Sequence, residues 1–248
     1  MSGHSKWHNI KLKKGKVDAQ RGALFTKLSK EIILAAKNGS PDPEANYRLK
    51  MAVEKARENN VPQENIKRAI SRAAGGAGEK EIEELRYEGY GPAGVAVIID
   101  AATDNRNRTA SELRFLFSRS GGALGESGSV GWMFEQRGLL EVLPQGLSED
   151  LLTERALVDG VVDVRFDPGI AEIVTEPSAL MAVKDALEAV RLSVKSARLV
   201  MEAKQTAHPS DADTRAVLAF LEALEEHEDV HAVFSNAEFS DAALEALA

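Results

Sequence analysis

Two arginines stand in the segment Asp104-Asn105-Arg106-Asn107-Arg108-Thr109, where an apolar run gives way to helical spacing. Guanidinium forks beside the free N–H groups of a helix start suit phosphate or carboxylate. The segment also has a purely structural use, since Thr109 followed three residues later by Glu112 fits a capping box. Both readings stand, but the cap needs only Thr109 and Glu112, so Arg106 and Arg108 are left as candidate contact residues. The glycines that follow, at 121, 122, 125, 128 and 131, lack the Gly-Lys-Ser/Thr ending of a P-loop and lead into an expected strand rather than a helix, so a nucleotide loop is not expected. Ser127 lies in Gly125-Glu126-Ser127-Gly128-Ser129, which is not the Gly-x-Ser-x-Gly nucleophile elbow. His4 and His8 stand four apart, as do His227 and His231, without carboxylates at metalloprotease spacing. The chain has no cysteine, which removes thiol nucleophiles, thiolate zinc sites and iron–sulfur ligation. The expectation is a protein that is not an enzyme, with no catalytic residue, metal, cofactor or small-molecule substrate.

Charge points instead to a polyanionic partner. The 248 residues carry 31 basic and 39 acidic side chains, a net charge of −8, but the two signs are segregated. Residues 1–76 hold 16 basic against 7 acidic, a surplus of +9, and the remainder carries −17. Nine cations fall in the first 37 residues: Lys6, Lys11, Lys13, Lys14, Lys16, Arg21, Lys27, Lys30 and Lys37. Trp7 and Ile10 are interleaved with them, so Trp7 either stacks on a base or anchors the arm to the helices behind it. The candidate nucleic-acid contacts are Lys6, Trp7, Lys11, Lys13, Lys14, Lys16, Arg21, Lys27 and Lys30, together with Arg106 and Arg108.

The elements that must position these residues are legible in the periodicity. Leu24, Phe25, Leu28, Ile32 and Ala35 recur at helical spacing before Asn38-Gly39, and Asp42-Pro43 reads as the start of a second helix along Ala45, Leu49, Ala52, Val53 and Ala56. Pro62 opens a third, closed by the glycines at 75, 76 and 78. No short turn typical of a helix-turn-helix separates the last two, so groove reading by a recognition helix is not expected. Beyond the glycines, strands are expected at 84–90 and 94–101, a helix at 108–120 and a strand at 129–135. A βαββαβ series follows, with strands at 139–143, 161–166, 170–175 and 193–202 and helices at 148–159 and 177–190; this is a ferredoxin-like unit. A last helix at 211–227 and strand at 229–235 have no sheet of their own, and a lone strand must pair, so they return to the earlier one. The fold class is α+β: a three-helix domain followed by two ferredoxin-like α/β domains, one inserted in the other. The expected boundaries are 1–78, then 79–136 with 206–248, and 137–205 as the insertion.

No apolar run approaches the roughly 18 residues of a membrane helix, and the basic N-terminus has no apolar core of a secretory signal, so a cytoplasmic location is expected. Several blocks together carry a resemblance: Gly3-His4-Ser5-Lys6-Trp7-His8-Asn9-Ile10-Lys11, Phe25-Thr26-Lys27-Leu28, Asn59-Asn60, Tyr87-Glu88-Gly89-Tyr90-Gly91-Pro92, Asp104 to Thr109, and Gly128-Ser129-Val130. In this order and spacing they resemble the YebC/PmpR family along the whole chain. The resemblance implies a three-domain cytoplasmic, non-enzymatic protein that binds DNA as a transcriptional regulator. The alternative it implies is a ribosome-associated translation factor contacting ribosomal RNA, since a mitochondrial translational activator is related.

Overall fold

The computed structural model describes residues 19–73, 81–167 and 169–245. The expected contacts Lys6, Trp7, Lys11, Lys13, Lys14 and Lys16, the His4/His8 pair and the glycines at 75, 76 and 78 lie outside the described residues.

Three helices open the described chain: α1 (Ala19–Lys37), α2 (Tyr47–Glu58) and α3 (Gln63–Ala73). Ile32, Ile33, Leu34, Ala35 and Ala36 of α1 are all buried, so its second half is covered on every side. Leu49, Val53 and Ile66 of α2 and α3 cover one side, and Ile82, just ahead of the neighbouring sheet, and Ala102 within it join the same core. The expected start of α2 at Asp42-Pro43 is not observed. Asn46 caps the helix, its side-chain oxygen accepting from the Leu49 amide at 3.1 Å while its Nδ2 donates to the Ala35 and Ser40 carbonyls at 2.8 and 2.7 Å. An aspartate has no donor for those carbonyls, and Asp42 closes only a local turn onto the Glu44 amide.

The first sheet is built from β1 (Glu83–Tyr90), β2 (Ala96–Thr103), β3 (Ala123–Leu124) and β8 (Val230–Ser235), in the order β3-β1-β2-β8 with every pair antiparallel. Helices α4 (Arg106–Arg119) and α7 (Asp211–Glu226) cover one face, where the Phe117 and Phe220 rings meet edge to face at 4.9 Å. The second sheet holds β4 (Phe134–Leu143), β5 (Val161–Asp167), β6 (Ile170–Thr175) and β7 (Ser193–Ala203), in the order β5-β6-β4-β7, with α5 (Glu149–Ala156) and α6 (Leu180–Ala189) packed over Leu140, Val142, Ala171 and Ile173. That is the ferredoxin-like strand order. The first sheet is likewise four antiparallel strands under two helices, but with other connectivity, its two central strands β1 and β2 following each other directly in the chain. A short helix, α8 (Asp241–Glu245), ends the described chain.

Two expectations for the strands need correction. The strand expected at 129–135 is absent as such; Gly131–Met133 form a 3-10 turn, and the strand starts only at Phe134. The cause is Glu88, whose buried carboxylate takes the amides of Gly128, Val130 and Gly131 at 2.9, 2.9 and 2.6 Å and so withholds them from any ladder. The gap expected before residue 139 is also absent, and β4 runs unbroken through Gly138, where a Cβ would lie 2.2 Å from the Thr175 Oγ1. Glycine there serves close packing, not a turn. The start of β4 also joins the two sheets, since Phe134, Val130 and Met201 pack on Ala96 and Ile98, on the face of the first sheet that α4 and α7 leave open.

Candidate nucleic-acid interface

Helix α4 begins at Arg106, two residues earlier than expected, and its cap is Asn105, whose side chain accepts from the Arg108 amide at 3.1 Å. The capping-box reading of Thr109 and Glu112 is therefore corrected. Thr109 is fully buried one turn into the helix, where its hydroxyl reaches the carboxylate of Asp229 at 2.7 Å, and Glu112 meets the Nε2 of His227 at 2.8 Å.

Asp229, between α7 and β8, is the hub of this corner and has no exposed surface. Its carboxylate accepts from Lys30 of α1, from Thr109, from Arg108 Nη2 at 3.0 Å and from the Thr103 hydroxyl at 3.2 Å. Burial by itself would raise its pKa, but the hydrogen bonds from Lys30, Thr109 and Arg108 outweigh it and hold the group well below the usual carboxylate range. Lys27, one turn before Lys30, donates to the Glu225 carbonyl in the last turn of α7, where the helix dipole favours a cation. Three of the expected phosphate contacts, Lys27, Lys30 and Arg108, thus meet groups of the protein itself: Lys27 and Lys30 fasten α1, and Arg108 fastens α4, to the corner between α7 and β8.

Arg106 differs from Arg108. It is exposed, and among the described residues it forms no ion pair. Arg21 lies in the first turn of α1. Two further arginines, Arg114 and Arg119, are also exposed and without an ion pair among the described residues. With one turn every 3.6 residues they flank Phe115, which is 62% exposed, on the outer face of α4. Four arginines against Glu112 alone give this helix a charge of +3 in a region that is otherwise acidic. In the helical pattern Arg119 lies opposite Leu113 and Phe117 and Arg114 at their flank, whereas Arg106, two turns before Leu113, falls on their side at the helix start.

Beside β1, the block Tyr87-Glu88-Gly89-Tyr90-Gly91-Pro92 acquires a physical role. Glu88 holds the 128–131 turn, while a Cβ on Gly89 or Gly91 would strike the ring of Phe117 or Phe220 at 2.7 or 2.5 Å. Burial would raise the Glu88 pKa, but the three backbone donors lower it below the ordinary value. The turn presents Trp132, 62% exposed, which no local sequence pattern had singled out.

Glu112, His227 and Asp229 bring one potential metal-ligand atom each within 4.8 Å of one another. Their capacity is used internally: His227 Nδ1 accepts from the Asp229 amide at 3.1 Å, its Nε2 faces Glu112, and Asp229 is held by cations. Each ligand atom is thus already engaged in a hydrogen bond or ion pair within the protein. Among the described residues no helix is long and apolar enough to cross a membrane.

Comparison with known proteins bears on the whole chain. Residues 5–76 match the family model described as the TACO1/YebC protein N-terminal domain, and residues 82–237 match the one described as the TACO1/YebC second and third domain. A "Probable transcriptional regulatory protein" of Pelotomaculum thermopropionicum is 49% identical over 97% of this chain and 100% of its own length. One of the same name from Moorella thermoacetica is 48% identical, covering 100% of this chain and 99% of its own. A conserved hypothetical protein from Aquifex aeolicus, solved by crystallography, superposes with a TM-score of 0.83 at 44% identity, over 91% of this chain and 93% of its own. By sequence along its length and by fold, the chain belongs to the TACO1/YebC family.

Proposed function

We propose that this protein is a non-enzymatic, DNA-binding transcriptional regulator of the cytoplasm that grips phosphates with two cationic surfaces. The carrying observation is helix α4, along which Arg106, at its start, and Arg114 and Arg119 further on stand exposed without an acidic partner among the described residues. Unpaired guanidinium groups on an acidic body are suited to phosphate oxygens, which they meet as planar forks. The names of the relatives agree with a regulatory role. The N-terminal cations Lys6, Lys11, Lys13, Lys14, Lys16 and Arg21, with Trp7, are the second proposed contact set. Lys27, Lys30 and Arg108 stand outside the contact set, because each already meets an acceptor within the protein. The division at 1–78, 79–136 with 206–248, and 137–205 belongs to the same proposal and assigns α4 to the middle unit.

The test is a salt titration of binding to random duplex DNA by the wild type and by the triple variant Arg106→Ala, Arg114→Ala, Arg119→Ala. The expected result is weaker binding, with the logarithmic salt slope reduced by about 0.9 for each phosphate no longer neutralised, at an unchanged melting temperature. An unchanged slope refutes the contact role of α4. A ribosome sedimentation assay at graded salt, run in parallel, reads out the translation alternative.

A further inference from the structure

Among the described residues Trp132 is one of the most exposed large apolar side chains. Its indole N–H donates to the Ser129 carbonyl at 3.2 Å, and the Tyr90 hydroxyl reaches the same oxygen at 3.5 Å. Ser129 is itself set by its neighbours Gly128, Val130 and Gly131, whose amides are gripped by the buried Glu88 carboxylate. A charged group is thus buried, and three backbone donors are withdrawn from pairing, to hold a turn that carries a large aromatic ring outward. On the other side, Lys204 donates to the Trp132 carbonyl at 3.4 Å and has no acidic partner among the described residues.

We infer that Trp132 is a preorganised stacking platform for an unpaired nucleobase, with Lys204 placed for the adjoining phosphate. The inference rests on the nucleic-acid reading above and deepens it, adding single-stranded nucleic acid as a ligand class. The surroundings select this occupant. A protein-binding anchor sits inside an apolar patch that excludes water, whereas the groups tied to Trp132 are polar or cationic: the Ser129 carbonyl, which the Tyr90 hydroxyl also reaches, and the exposed Lys204. A flat ring in a polar setting with a cation alongside is the combination that holds one base and its phosphate. RNA and DNA strands offer the same chemistry, and the experiment separates them.

The chain has two tryptophans, so in the Trp7→Phe protein Trp132 is the only indole fluorophore. Single-stranded RNA, single-stranded DNA of the same sequence and the corresponding DNA duplex are titrated into this protein and into the same protein carrying Trp132→Ala or Trp132→Leu. The expected result is fluorescence quenching by the single strands and a loss of single-strand affinity of roughly 5- to 100-fold in both variants, the range that base–aromatic stacking supplies, with duplex affinity changed less than about twofold. The leucine variant keeps apolar bulk without a π face, and melting curves of both variants report any loss of fold. Equal losses for the two strand types identify base stacking alone, and a loss confined to RNA identifies RNA as the ligand. Binding that persists at full strength in both variants overturns the platform and leaves the regulator reading intact, pointing to a protein partner at Trp132. Failure of the wild type to bind any of the three probes overturns both.

Discussion

The ammonium of Lys30, in the middle of α1, donates to the buried carboxylate of Asp229, 199 residues further along the chain. With Lys27 on the Glu225 carbonyl and Ile82 and Ala102 in the helical core, this ion pair makes α1 part of the framework of the first sheet. On this helix Lys27 and Lys30, read in sequence as candidate phosphate contacts, both meet acceptors within the protein.

Removing one partner of that pair leaves the other charge buried without compensation, which costs about 3–5 kcal/mol. Asp229→Ala is therefore expected to lower the urea midpoint strongly, and Lys30→Ala to do so less, since Arg108 and Thr109 still hold the carboxylate. The double variant should be less destabilised than the sum of the singles. Additive losses in that cycle refute a direct coupling.

Arg106 and Arg108 are separable. Arg108→Ala removes charge-assisted hydrogen bonds to Asp229 and is expected to cost about 1–3 kcal/mol of stability, while Arg106→Ala leaves the melting curve in place and weakens DNA binding. A stability loss from Arg106→Ala of the same size would show that the two residues share one structural role.

His231 of β8 is half-buried, its Nε2 enclosed without a hydrogen-bond partner among the described residues, and this desolvation lowers its pKa to about 4. Between its unfolded value near 6.5 and that folded value, the unfolded chain binds the proton and the folded protein does not, so stability falls as the pH is lowered through this window. The slope should be largely abolished in His231→Gln. Asp229 adds a second loss only in more acid solution: its folded pKa is depressed, so its contribution is present above the unfolded value near 3.9 and disappears below it. Denaturation midpoints at pH 7, 6, 5 and 4 check both; a flat wild-type profile from pH 7 to 5 excludes the histidine effect.

Glu88→Gln keeps the shape of the side chain and removes the charge that three amides point at. Exchange of the Gly128, Val130 and Gly131 amide protons is expected to accelerate, with a stability loss of about 1–3 kcal/mol. Protection equal to that of the wild type would mean that the turn is held by other groups.

Deleting residues 1–16 removes Lys6, Lys11, Lys13, Lys14 and Lys16. The salt slope of binding should fall by about 0.7–0.9 for each phosphate that these lysines neutralise, independently of the change caused by the α4 arginines. If the truncated protein retains the wild-type slope, the arm touches no phosphates.

Local pattern determined the elements and their order. Helical spacing in 24–35 and 49–56, the βαββαβ alternation over 139–202 and the acidic helix before the last strand all depend on residues a few positions apart, where side-chain periodicity and turn chemistry act. Tertiary structure decided which charges are available for a partner. Lys27, Lys30 and Arg108 look in sequence like Arg106, Arg114 and Arg119, which form no ion pair among the described residues, and nothing local separates them. The difference is made by Asp229 and Glu225, which lie far along the chain, because only the folded protein brings a buried carboxylate or a helix C-terminus within reach of particular side chains. The same holds for Glu88, which in sequence is one more strand carboxylate and in the fold anchors the turn beneath Trp132. Contacts between distant segments have no signature in periodicity, since each partner satisfies its own local pattern equally well without the other.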